Sequence, residues 1–195
     1  MGEGVACCAI ETGGRWMKLI KWLLISVVVL GILLLGGSLF LPATTHVERS
    51  THIDKPPAEV FATLDSFERF NQWSPWFEMD PTAQYSYSGP ASGVGARMSW
   101  VGNPSVGSGS QEILVSEPHA RIVNALDFGN SQAKATYLLV PDGSGTHLTW
   151  SLDSEHGYNP LNRWFGALLL DRMIGKDYEK GLAKLKALQE SPAQP

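Results

Sequence analysis

Three features of the sequence predict an α+β chain in which an antiparallel sheet packs on one long helix, behind a single membrane-length apolar helix. Trp22 to Leu41 is a run of twenty residues without an ionisable side chain. From residue 85 to 153 short extended stretches alternate with Gly-, Asn- and Pro-rich turns. Residues 160–190 carry apolar side chains at helical spacing.

The chain before the apolar run, residues 1–21, reads as a short tail. Its first part is Gly-rich and lacks apolar periodicity, so Met1 to Trp16 is expected to be disordered, and Met17 opens a second possible start. At 1.5 Å per helical residue, Trp22 to Leu41 spans roughly 30 Å, the thickness of the hydrocarbon core of a bilayer. Lys18 and Lys21 stand in front of it, which places the amino terminus in the cytoplasm and the domain on the extracytoplasmic side, the periplasm if the cell is bacterial. A cleaved signal peptide has a shorter apolar region and a small-x-small site. Here the exit GGSLFLPATTH offers only a weak site around Pro42 to Thr44. A core helix would carry a polar face, and this run has none. The run is read as a retained single-pass anchor, the cleaved signal and the core helix being the alternatives, and Pro42 is expected to end the helix. Gly31 makes no GxxxG pair with Gly36 or Gly37, so nothing specific supports helix association in the membrane.

Roughly 150 residues follow, enough for one domain with a real core. Fifteen Lys and Arg stand against 19 Asp and Glu, a formal charge of -4, and without a basic tract no nucleic-acid partner is indicated. Cys7 and Cys8 both precede the apolar run, so the domain has no disulfide or thiolate metal site.

The domain is expected over residues 45–190, with 191–195 a frayed tail. Thr45 to Ile53 reads as a strand whose parity is imperfect, because Arg49 shares a face with Val47 and Ile53. Asp54 can cap a following helix, with prolines in its first turn and Val60, Phe61 and Leu64 as its apolar patch. A second short helix is expected over Phe67 to Trp73. Trp73, Ser74, Pro75, Trp76 and Phe77 form an aromatic knot that is either a core plug or the lip of an apolar pocket. Extended runs follow at 85–88, 96–101, 107–116, 120–128, 133–140 and 146–153, joined by connections too short for parallel crossovers. In the last of them Leu148, Trp150 and Leu152 face one way and His147, Thr149, Ser151 and Asp153 the other. Such a one-sided sheet needs a partner layer. Pro160 to Glu190 supplies it as one amphipathic helix, with Leu161, Phe165, Leu168, Leu169, Met173 and Leu188 among its apolar positions. Gly166, Gly175 and Gly181 are costly in a helix interior and point to a bend or a close approach to the sheet.

Several segments resemble the polyketide cyclase/dehydrase-like branch of the START-like, or SRPBCC, superfamily. They are RSTHIDKPPAEVFATLDSFERFNQWSPW, YSGPASGVGARMSWVGN, GTHLTWSL and IGKDYEKGLAKLKALQE, occurring in that order. The resemblance implies a helix-grip fold: about seven antiparallel strands wrapped around a long carboxy-terminal helix, with a cavity between them for a hydrophobic molecule. It implies no single activity, since the superfamily includes lipid carriers, hormone receptors and aromatic cyclases.

The residues themselves offer little chemistry. The five histidines are scattered without metal-binding spacing, and neither a nucleophile elbow nor a nucleotide loop is present. No cofactor is expected. A cyclase-like mechanism would draw on Arg97, Asp127, Tyr137 and Asp153, each also explicable as a surface or packing residue. The segment Asp153 to Asn159 reads as the rim of a cavity or as an ordinary loop. A cavity walled by Trp100, Leu126, Tyr137 and Trp150 from the sheet and by Trp164 and Leu168 from the helix, with Trp73 and Trp76 beside it, suits an apolar or amphipathic ligand. The expected function is therefore membrane-anchored, non-catalytic binding of a hydrophobic or lipid-like molecule. The alternatives are a cyclase or dehydratase and an interaction module with a filled interior. A cavity of several hundred cubic ångströms would favour binding.

Overall fold

The computed structural model describes residues 13–129 and 131–191. Cys7, Cys8 and most of the expected tails lie outside that range. The chain separates between Leu41 and Pro42 into two compact units.

The first unit is α1, Gly13–Ser38. It begins earlier than expected, taking in Trp16, Lys18 and Lys21, and it ends before Pro42. Gly36 and Gly37 weaken the helix at that point, and the chain leaves through tightened turns in which Leu39, Phe40 and Leu41 N–H groups bond the carbonyls three residues back at 3.2, 3.1 and 3.3 Å. By length and composition Trp16–Ser38 is able to cross a membrane.

The second unit is a seven-stranded antiparallel sheet with helices on its concave face. Its strands are β1 (Thr44–Ile53), β2 (Gln84–Ser88), β3 (Arg97–Val101), β4 (Ser108–Glu117), β5 (Arg121–Asp127), β6 (Gln132–Asp142) and β7 (Gly145–Glu155). The order β1-β7-β6-β5-β4-β3-β2 is a meander with the first strand added beside the last. Period-two alternation buries Ile122, Leu139, Leu148 and Trp150 on the concave face, while Leu138 and Val140 stay exposed on the other.

Between β1 and β2 come α2 (Pro57–Leu64), a 3-10 turn (Phe67–Gln72) and α3 (Pro75–Met79). The cap of α2 is Pro56, with Pro57 as its first helical residue, and Asp54 does not cap. The Asp54 carboxylate instead faces His52 at 3.0 Å, and the Asp54 backbone N–H donates to the Glu190 carboxylate at 2.8 Å. The short helix α3 divides the aromatic knot and was not visible in the periodicity.

The expected single helix over 160–190 is continuous but not uniform. It runs as α4 (Pro160–Phe165), a π turn (Gly166–Leu170) and α5 (Asp171–Glu190). Asn159 caps its start, Oδ1 accepting from the Leu161 and Asn162 N–H groups at 3.0 and 3.4 Å. All three glycines are sites of close approach: Gly166 lies against His156 and Thr45, Gly175 against the Arg49 guanidinium, and Gly181 against Trp150 and Pro75. One expectation is corrected. Leu161, Phe165, Leu168, Leu169 and Met173 do not join the core but are exposed, and the buried side of the helix start is Arg163, Gly166 and Leu170. Leu168 and Leu170 are two residues apart, about 200° around a helix, so they cannot share a face.

Arg49, which breaks the parity of β1, holds that strand to α5. Its Nε donates to Glu179 at 2.7 Å and its Nη1 to Asp171 at 3.0 Å. Nη1 also reaches the Glu48 carbonyl at 2.7 Å, and Lys186 Nζ reaches the His52 carbonyl at 2.7 Å, so two carbonyls of β1 are taken by cations.

At Gly181 an added Cβ would stand 2.9 Å from a Trp150 ring carbon and 3.2 Å from Pro75 Cδ. Gly181→Ala is expected to lower stability by about 1–2 kcal/mol, the overpacking cost exceeding the ~1 kcal/mol helix advantage of alanine. Urea unfolding of the detergent-solubilised chain, followed by tryptophan emission, measures it.

Candidate functional site

Between the concave face and α5 lies a partly open cavity of about 120 Å³. Its base is aromatic. The Trp150 ring stacks on Tyr178 with centroids 3.7 Å apart and planes 11° apart, and on Tyr137 at 5.3 Å. Trp76 stands edge-on to Trp150 at 5.9 Å and to Tyr178 at 6.4 Å. Aromatic edge-to-face and offset contacts of this kind each contribute roughly 0.5–1.5 kcal/mol beyond area burial.

Sheet register fixes which way the cavity opens. Trp150 and Tyr137 pair in the row that contains Arg49, the middle of β1. Leu126, Gln111 and Met98 lie in the row that begins at Thr45 and passes through Ser154 and Ala133. Trp100, Phe128 and Val106 lie beyond that row, Trp100 and Phe128 edge-on at 5.9 Å. The mouth is therefore at the end of the sheet where β1 starts.

Of the eight wall residues expected from sequence, Trp76, Trp100, Leu126, Tyr137 and Trp150 line the cavity. Trp73 does not. It is fully buried behind the wall, edge-on to Trp150 at 5.3 Å and to Phe70 at 5.0 Å. Trp73 is thus a core plug, whereas Trp76 lines the cavity at its base. Trp164 is half-buried in α4 and Leu168 is exposed, and neither reaches the cavity. Sequence reasoning missed Gln111 and Met98 as wall residues and read Tyr178 only as helix packing. The signal for Gln111 was its parity with buried Ile113 on β4.

Among the described residues no Asp, Glu, His, Lys, Arg or Cys lines the cavity. Its titratable groups are tyrosines, and burial pushes the Tyr137, Tyr178 and Tyr85 phenols up, so they stay neutral. Of the residues a cyclase would draw on, only Tyr137 is inside. Arg97 pairs with Glu112 at 3.4 Å on the surface, Asp127 accepts from the Gly129 N–H at 2.7 Å, and exposed Asp153 meets His46 at 2.7 Å. The segment 153–159 does not rim the cavity: His156 turns back to Thr45 Oγ1 at 2.8 Å, and burial holds its imidazole below the usual range. Among the described residues no group of three His, Cys, Asp or Glu is placed to hold a metal. Two wall residues carry buried polar atoms without a hydrogen-bond partner among the described residues, Ser74 Oγ and Trp150 Nε1. Buried unpaired groups are costly, about 1–3 kcal/mol each.

The sequence profile described as polyketide cyclase / dehydrase and lipid transport matches residues 44–190. No curated protein matches the chain. Among solved structures, a protein of Chromobacterium violaceum is similar at 16% identity and a TM-score of 0.56, over 76% of this chain and 99% of that one. Ara h 8.0201 is similar at 12% identity and a TM-score of 0.55, over 76% and 99%. The Aha1 dimer of Colwellia psychrerythraea is similar at 13% identity and a TM-score of 0.54, over 76% and 98%. At these identities the likeness shows the fold alone, a helix-grip sheet around a long carboxy-terminal helix.

Helix α3, which carries Trp76, is tied to α5 by Glu78, whose carboxylate accepts from Lys180 at 2.6 Å and Lys184 at 2.8 Å. Those bonds pull the Glu78 carboxyl down from 4.5 to about 2. A depressed folded pKa means the contribution is present above the unfolded value and lost as pH falls through the folded one. The gap in unfolding midpoint between the parent chain and Glu78→Gln is expected to be widest above pH 4.5 and to close as the pH falls toward 2. Because the pair is exposed, added salt narrows the gap at neutral pH.

Proposed function

The chain belongs to the polyketide cyclase/dehydrase and lipid transport family, and from that premise we propose that it binds an uncharged hydrophobic molecule, or the apolar part of a lipid, while tethered to a membrane by α1. The observation that carries the reading is the cavity wall: aromatic and aliphatic apart from Ser74 and Gln111, free of charged side chains among the described residues, and open at the end of the sheet where β1 starts. Burying an ion in such a wall is strongly unfavourable, whereas apolar surface gains about 25 cal/mol per Å².

The volume sets the size of what enters. At about 120 Å³ the space falls short of the several hundred that would favour binding, because Trp76, Trp150 and Tyr178 fill its base. It is comparable with the ~150 Å³ cavity that holds one benzene ring. The bound part is one ring or a short acyl or isoprenoid stretch, with the remainder outside the mouth. Gln111, only 5% exposed in an apolar wall, favours a ligand with a neutral hydrogen-bonding group. Binding without catalysis is the reading that neutral phenols and the outward placement of Arg97, Asp127 and Asp153 support. The small volume also favours, as a second reading, an interaction module whose interior is simply packed.

Native mass spectrometry of the detergent-purified full chain with organic extraction, alongside titration with 1-aminoanthracene, separates the two. Binding predicts a co-purifying apolar molecule or saturable probe fluorescence. It also predicts that Ala135→Leu, which puts three more carbons into the cavity, weakens the probe at least tenfold, about 1.4 kcal/mol. The absence of both a co-purifying molecule and probe binding would overturn it in favour of the packed module.

A further inference from the structure

The start of the carboxy-terminal helix is amphipathic in the wrong sense for a core helix. Its inward side is Arg163, Gly166 and Leu170, while its outward side carries Leu161 at 79% exposure, Leu168 at 64% and Met173 at 53%, with Phe165 and Leu169 also exposed. Clustered apolar exposure on one face marks an interaction surface, whereas scattered single residues do not.

The position of this face says what covers it. Gly166 sits against Thr45, and His156, just before α4, donates its N–H to the Ala43 carbonyl at 2.8 Å. The apolar face thus begins beside the first residues of the domain. Only five residues, 39–43, separate the end of α1 at Ser38 from the start of β1 at Thr44. Fully extended they reach about 17 Å. The face also carries interfacial chemistry: Tyr158 is 93% exposed next to α4, and Arg172 is exposed between Leu169 and Met173. Tyrosine and arginine at the edge of an apolar stripe suit the headgroup layer of a bilayer.

We propose that the exposed face formed by Leu161, Phe165, Leu168, Leu169 and Met173 docks on the leaflet from which the tether emerges. The proposal rests on the reading of α1 as a retained anchor. Docking sets the Trp100–Phe128 mouth, at the same end of the sheet, next to the lipid surface, and an apolar ligand then passes between leaflet and cavity without crossing water.

The test uses the full chain carrying Cys7→Ser and Cys8→Ser, reconstituted in phosphatidylcholine/phosphatidylglycerol vesicles containing doxyl-labelled lipid. Single cysteines carrying an NBD probe are placed by Leu161→Cys and Leu168→Cys on the face, by Leu30→Cys in α1 and by Ser144→Cys at the opposite end of the sheet. Docking predicts blue-shifted emission and doxyl quenching at 161, 168 and 30, and neither at 144. Quenching at 30 without quenching at 161 and 168 overturns docking and leaves the anchor standing. Absence of quenching at 30 overturns the anchor and docking with it. A blue shift at 161 and 168 that rises with protein density and resists doxyl lipid makes the covering partner a second copy of this chain, and also overturns the proposal.

Discussion

The contact on which the domain depends is the face-to-face seating of Trp150 on Tyr178, 3.7 Å between ring centroids. It joins the middle of β7 to the middle of α5, the sheet to the layer that covers it. Gly181, on the next turn, removes the side chain that would hold the helix off, and Trp73 and Trp76 close around the same ring from the α3 side. The cavity is what remains when four large rings meet around one point and cannot fill a curved sheet to its end. Its place and its modest size follow from the same packing.

Much of this was legible in the residues. A half-buried strand states its own period, so β7 could be read from Leu148, Trp150 and Leu152 alone. Arg49 was visible as a break in parity, and its reason became visible only with Asp171 and Glu179 beside it, more than a hundred residues away in sequence. The helix start failed for a different reason. Helical spacing tells which residues share a face, but not which face looks inward, and Leu161, Phe165 and Leu168 form a consistent stripe that faces out. The three glycines marked the helix as irregular without naming the partners that come close. In the cavity, aromatic size found Trp76, Trp100, Tyr137 and Trp150. It could not separate Trp73, one layer back, or find Gln111, whose type argues for the surface.

The neutrality of the cavity has a physical origin rather than a merely compositional one. The chain has 34 charged Lys, Arg, Asp and Glu residues by its sequence, 15 basic and 19 acidic, yet none of the described ones lines this space. Charged residues on the elements around it are engaged elsewhere: Glu78 with Lys180 and Lys184, Asp153 with His46, Arg49 with Asp171 and Glu179. Ion pairs at the rim of the layers hold the helices in register while the interior keeps a low dielectric. Within it, the tyrosine hydroxyls remain protonated hydrogen-bonding groups.

The two carbonyls of β1 occupied by Arg49 and Lys186 have a consequence for the chain in company. Strand β1 is ten residues long and forms one edge of the sheet, where a long unpaired edge ordinarily templates another strand. Here the Glu48 and His52 carbonyls, which would receive a neighbour's N–H groups, are already spoken for by cations from the same chain. A neighbouring strand would have to break those bonds before it could add along β1, so this long edge is blunted against strand-to-strand pairing.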